Sequence, residues 1–118
     1  MEVGVYFPPG RERATVVTTW SRGFRTAEGI GPCSTVAAMH RAYGNAVRPA
    51  WAGTQLHAGV RTVYSWVVGD NLLFATDDWP YIRTVAVYRG DPDRTRAGSP
   101  QAYANWVGLD EAGCVPGA

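Results

Sequence analysis

Apolar residues along this chain recur mostly at a period of two, and one stretch alone shifts to the spacing of a helix. Val3 to Phe7 is a short apolar run closed by Pro8-Pro9-Gly10. Arg13 to Trp20 places Val16, Thr18 and Trp20 at alternate positions, so the two segments read as strands around a turn. Ser21 to Pro32 holds Gly23, Gly29 and Gly31 with Phe24 and Ile30 as single apolar anchors, which reads as a loop. In Cys33 to Gly44 the period changes. Val36, Met39, His40 and Tyr43 fall at i, i+3, i+4 and i+7, and alanines favour helix. Ser34 or Thr35 can cap the start, and Gly44 can end the helix in the left-handed conformation.

Asn45 to Leu56 has no clear period, because Pro49 and Gly53 interrupt any regular element. Val60 to Val68, Asn71 to Thr76 and Tyr81 to Tyr88 read as three more strands, joined by Gly69-Asp70 and by Asp77-Asp78-Trp79-Pro80. A two-residue Gly-Asp loop sets the parity of the first of these hairpins. It predicts that Val63, Val67, Leu72 and Phe74 share one face and that Tyr64, Trp66, Leu73 and Ala75 share the other. Asp91 to Ser99 is turn-rich, and Ser99-Pro100 can open a last short helix ending near Val107-Gly108. The pattern predicts a single α+β domain over 1–118, with one short helix (about 35–43) packed on a four- or five-stranded antiparallel sheet.

Length and composition narrow the class. A chain of 118 residues has no room for a second domain, and 46% hydrophobic with 18% charged residues is the balance of a folded chain. No apolar run approaches the ~20 residues of a membrane-spanning helix, so a soluble protein is expected. The formal charge is +1, with six Arg against three Glu in residues 1–48 and five Arg against seven acids in 49–118. Neither half is a polyanion-binding face by composition. All eleven basic residues are Arg, and Ala, Gly and Val are abundant, as in a GC-rich bacterial genome.

Cys33 and Cys114 allow either two free thiols or one disulfide. A bridge would close a loop of roughly 80 residues and stabilise the fold by about 4 kcal/mol. The Trp, Tyr, Thr and Gly content and the lack of Lys favour the bridge, and with it a secreted or extracytoplasmic protein. Met1 to Gly4 shows neither a basic nor an apolar leader region, so an exported protein would read here as its mature form.

Cys33 to Gly44 resembles the Gly-x-Thr-x-x-(Glu/Gln)-Val-x-x-x-x-Gly helix of the β-lactamase-inhibitor protein and outer-membrane assembly lipoprotein fold group. Thr35 matches the capping threonine, Met39 the buried aliphatic position and Gly44 the terminal glycine. Thr26 to Gly31 and the later hairpin look similar to small exported actinobacterial domains. Cys33 stands where the motif has its first glycine, and Ala38 where it has an acid or amide that would complete a capping box. The resemblance implies a helix followed by a β-meander, an extracytoplasmic location and the binding of proteins rather than catalysis.

Several chemistries are open to the residues themselves. Cys33 at a helix start is where amides and dipole lower a thiol pKa, with His40 or His57 as base and Asp70, Asp77 or Asp78 to orient it. Yet His40 stands about 10 Å of helical rise away, and no cysteine-hydrolase signature surrounds Cys33. Metal-ligand spacing is absent around the two His, the two Cys, Asp77/Asp78 and Asp91/Asp93. Asp77 and Asp78 read as solvating a hairpin turn, and His40 as a partly buried, hydrogen-bonded side chain. Gly29-Ile30-Gly31 before a helix can hold an anion, although no Walker lysine exists here. Arg11, Arg13, Arg22 and Arg25 with Trp20 and Phe24 have the ingredients of a nucleic-acid site, against which the near-neutral total weighs.

A sheet face rich in aromatics is the strongest remaining feature. If the helix covers the Val67 side, Tyr64, Trp66 and Tyr88 stand on the open side, with Trp79 and Tyr81 near a hairpin tip. The competing reading makes that aromatic face the core. The expectation is a secreted, non-catalytic module that recognises a protein or extracellular ligand through Tyr64, Trp66, Trp79, Tyr81 and Tyr88. It needs no cofactor or metal and takes no nucleic acid. The alternatives are a small cysteine-dependent enzyme centred on Cys33 and a structural domain of a larger exported assembly.

Overall fold

The structure, a computed structural model, describes residues 3–7, 16–55, 61–77, 79–89 and 114, with Tyr6, 51–55 and 61–63 described as backbone. The chain forms strands β1 (Val3–Tyr6), β2 (Val16–Thr19), β3 (Val47–Gln55), β4 (Arg61–Val68), β5 (Leu72–Thr76) and β6 (Thr84–Tyr88). They make one antiparallel sheet in the order β1-β2-β6-β5-β4-β3. The helical stretch forms α1 (Val36–Tyr43), followed by one 3₁₀ turn over Gly44–Ala46. The protein is thus α+β with a short helix on a sheet, as expected, and has six strands among the described residues where four or five were predicted.

The additional strand is β3, hidden in the sequence by Pro49 and Gly53. Pro49 cannot donate to a ladder, but β3 is the outermost strand, where a missing amide is tolerated. Between Pro49 and Trp51 the register slips past Ala50 in a bulge. The predicted C-terminal helix, Asp91 to Ser99 and His57 lie outside the described residues.

The β4–β5 connection corrects the predicted parity. Its loop has three residues, Gly69, Asp70 and Asn71, so Val68 faces Leu72, Val67 faces Leu73 and Trp66 faces Phe74. Gly69 has φ +61°, and the Asn71 carbonyl accepts from the Tyr88 amide at 3.0 Å. Directly opposed residues share a face. Leu72 and Phe74 therefore lie with Tyr64 and Trp66, while Leu73 and Ala75 lie with Val67. One residue more in the loop moves every β5 side chain to the other face relative to β4.

The helix begins at the predicted cap and ends at Gly44, whose ψ of −128° departs from the left-handed helical conformation expected there. Thr35 Oγ1 accepts from the Ala38 amide at 3.0 Å, and Gly44, at φ +55°, donates its amide to the His40 carbonyl. The stripe of Val36 and Met39 packs on the Trp66 face, in one cluster with Phe74, Ile82 and Val85. This reverses the predicted placement, in which the helix left Tyr64 and Trp66 open: Trp66 is 7% exposed. The opposite face holds a second buried cluster that includes Val16, Val67, Leu73, Ala86 and Tyr88.

What seats α1 there is a seam between its entry and the segment before β6. The Cys33 amide donates to Ile82 O at 2.7 Å, the Ile82 amide to Ser34 O at 2.7 Å, and the Val36 amide to Pro80 O at 2.8 Å. Tyr81 and Ile82, predicted to begin the strand, instead serve this seam, the Arg83 amide donates to Ala75 O of β5 at 3.0 Å, and β6 starts at Thr84. Cys33 and Cys114 form a disulfide across a separation of 81 residues. Cys33 itself has φ +71°, a conformation that glycine takes more readily.

The loop before the helix folds back on itself. A Cβ on Gly31 would stand 2.0 Å from the Phe24 carbonyl oxygen, so only glycine fits that crossing. At the other end of α1, the Tyr43 hydroxyl is hydrogen-bonded to Thr26 Oγ1 at 2.7 Å and to Glu28 Oε1 at 3.1 Å. Loop and helix are thereby tied at both ends.

Replacing Cys33 and Cys114 together with Ala lowers unfolding stability in urea by about 4 kcal/mol. The pair Cys33→Gly with Cys114→Ala is less destabilised, by about 1 kcal/mol, because glycine removes the Cβ penalty at positive φ. Tyr43 supplies a pH signature. Burial raises its pKa above the usual 10.0, Glu28 adds to the rise, and the Thr26 bond opposes it. The folded state then holds this proton more tightly than the unfolded chain. Its contribution is complete below pH 10.0 and is lost as the pH rises through the raised value. Denaturant melts on the alkaline side will show that decline, shallower in Tyr43→Phe than in wild type.

Candidate functional site

Four rings from three parts of the fold meet at the rim of α1. Strand period two puts Tyr64 and Trp66 on the same face of β4, with centroids 6.3 Å apart and planes only 19° from parallel. The turn after β5 brings Trp79 to 5.5 Å from Tyr64 and 6.1 Å from Trp66. The helix contributes His40, whose ring stands edge-on to Trp66 at 6.2 Å and 85°. Exposure rises along this path: Trp66 is buried, Tyr64 is partly buried, and Trp79 is 60% exposed.

Of the five residues singled out from the sequence, the structure brings together Tyr64, Trp66 and Trp79. Tyr81 is partly buried and pairs through its backbone with Thr35 in the seam. Tyr88 is a correction. It lies on the opposite face beside Val16 and is 4% exposed, because β6 reaches that face at every even position from Thr84. His40 also departs from its reading, since it is exposed and in ring contact rather than partly buried. Its place on the helix stripe, one turn from Val36, was the signal that it would meet the sheet.

The other candidate chemistries meet a different fate. In the disulfide the Cys33 sulfur is not a thiolate, so it has no nucleophile to offer. The amides of Gly29, Ile30 and Gly31 donate to Thr26 O, Thr26 Oγ1 and Ser34 Oγ, and are engaged by the loop itself rather than turned to an anion. The Arg25 guanidinium is folded back on the carbonyls of Phe24 and Pro32. Asp77 does not solvate a turn: its Oδ1 pairs with Arg83 Nη1 at 2.8 Å, with the two side chains 3% and 7% exposed. Arg11, Arg13, Asp78, Asp91 and Asp93 lie outside the described residues. Among the described residues no group of three His, Cys, Asp or Glu converges on a point that could hold a metal, and no helix is long and apolar enough to cross a membrane.

What the ring cluster can do chemically follows from its composition. Aromatic faces and edges recognise apolar surfaces, other rings and cations. The buried Trp66 and the partly buried Tyr64 give Trp79 a fixed backing, so an exposed indole is held without a long flexible stem. Comparison with protein-family models, with curated proteins and with solved structures finds no significant match for this chain.

Proposed function

We propose that this protein is an extracytoplasmic, non-catalytic binding domain that recognises a protein or extracellular ligand through the ledge of Trp79, Tyr64 and Trp66. The observation that carries this reading is Trp79, which stays 60% exposed while two rings support it. A large indole left in water on a rigid base is the kind of anchor that binding surfaces concentrate. The Cys33–Cys114 bridge supports an oxidising compartment. The resemblance of Cys33 to Gly44 to an inhibitor and assembly-lipoprotein helix points the same way. Tyr81, beside the ledge in sequence, belongs to the proposed surface, and Tyr88 does not.

The ledge and the core separate in a pair of variants. Trp66→Ala lowers stability by about 3–5 kcal/mol, as removal of a buried aromatic does. Trp79→Ala changes stability by no more than about 0.5 kcal/mol, as at an exposed site. Immobilised wild-type protein is exposed to culture and envelope fractions of the producing organism, and the retained partner is then titrated against Trp79→Ala. The proposal expects at least tenfold weaker retention by the variant; equal retention by both proteins removes the ledge as the binding surface.

A further inference from the structure

At its other end the helix face of the sheet is left partly open. Over β1, β2 and β6, Val3, Val5, Val17 and Val87 are each exposed between 43% and 49%, and opposed pairing puts all four on this one face. A cavity of about 390 Å³ lies among them, floored by Val17, Val85 and Val87 and bounded by Val3, Phe24 and Ser21. It is separate from the ring cluster, with which it shares no residue.

The lining states what this cavity accepts. Among the described residues no charged side chain lines it. Its hydroxyls are already hydrogen-bonded within the protein: Thr18 Oγ1 donates to Val85 O at 3.2 Å, Thr19 Oγ1 accepts from the Ser21 amide at 3.1 Å, and Ser21 Oγ accepts from the Gly23 amide at 3.3 Å. A charged group placed inside would lose water against a wall that is mostly aliphatic, with no charged partner among the described residues. An apolar group loses nothing and covers the valines. Size sets the second limit, for an apolar cavity of about 150 Å³ takes one benzene, so 390 Å³ takes on the order of a dozen carbon atoms. Along β1 the apolar strip continues through Val5 to Phe7, which is 52% exposed, giving a chain a path out to solvent.

We propose that this groove binds the aliphatic chain of a neutral single-chain amphiphile, about a dozen carbons long, with its head group left in water. The proposal is independent of the ledge. The test uses the whole chain with its disulfide intact and the neutral probe N-phenyl-1-naphthylamine, displaced by n-alkanols of increasing length. One probe per chain should bind saturably. Alkanol affinity should rise about fourfold per added methylene and level off near twelve carbons, where the cavity is full.

Two variants at half-exposed positions locate the site. Val87→Glu puts a carboxylate into the groove, and Val17→Phe fills it without charge; each should weaken alkanol binding at least tenfold with the melting temperature unchanged. Trp79→Ala should bind as wild type. Three results overturn the proposal. One is the absence of saturable probe binding, and another is binding that both groove variants leave intact. The third is concentration-dependent self-association abolished by Val87→Glu without alkanol binding, which gives the groove to a second copy of the chain.

Discussion

The position of the helix depends on a seam of three backbone hydrogen bonds that joins residues 33–36 to residues 80–82. Each of these segments is short and would be irregular alone. Joined, they satisfy backbone groups that burial would otherwise strand, and they bring the helix entry to the end of the sheet where β5 gives way to β6. The disulfide lies at the same point, fixing Cys33 in a positive-φ conformation while linking it to Cys114. From that anchorage Val36 and Met39 land on Trp66 and Phe74 rather than on Val67 and Leu73. The tie of Tyr43 to Thr26 and Glu28 then holds the far end of α1.

Both surfaces proposed for binding follow from where the helix stops covering the sheet. On one side of α1 the buried Trp66 grades into Tyr64 and then into the exposed Trp79. On the other side the helix and its preceding loop end at Phe24, and the valines of β1, β2 and β6 are left partly open. An eight-residue helix is too short to cover six strands, for it is only about 12 Å long. The same shortness that leaves a core for the central strands leaves two kinds of apolar surface at its flanks, one aromatic and one aliphatic.

What the sequence revealed was whatever is decided locally. The Thr35 cap, the Val36–Met39 stripe and the Gly44 stop lie within ten residues of one another, and the helix was legible from them alone. β3 was not, because Pro49 is allowed only by an edge position that depends on the whole strand order. The hairpin parity failed on a single residue. Asn71 alternates plausibly with the strand after it, yet its carbonyl is used by Tyr88 of β6, a partner many residues away, and it belongs to the turn. That one displacement reversed the grouping of faces. Of the five aromatic residues singled out, only Tyr64, Trp66 and Trp79 come together, and their exposures were not legible: Trp66 is core, Tyr88 faces the other way, and Trp79 acquires its backing only through the turn after β5.

The placement of α1 on the Trp66 face is the claim from which both surfaces derive, and proton–proton contacts measured by NMR in solution test it most directly. The account predicts cross-peaks from the Met39 methyl to the Phe74 ring and from the His40 ring to the Trp66 indole. Contacts from Met39 to Val67 and Leu73 instead, with the Trp66 indole free of helix neighbours, would contradict it.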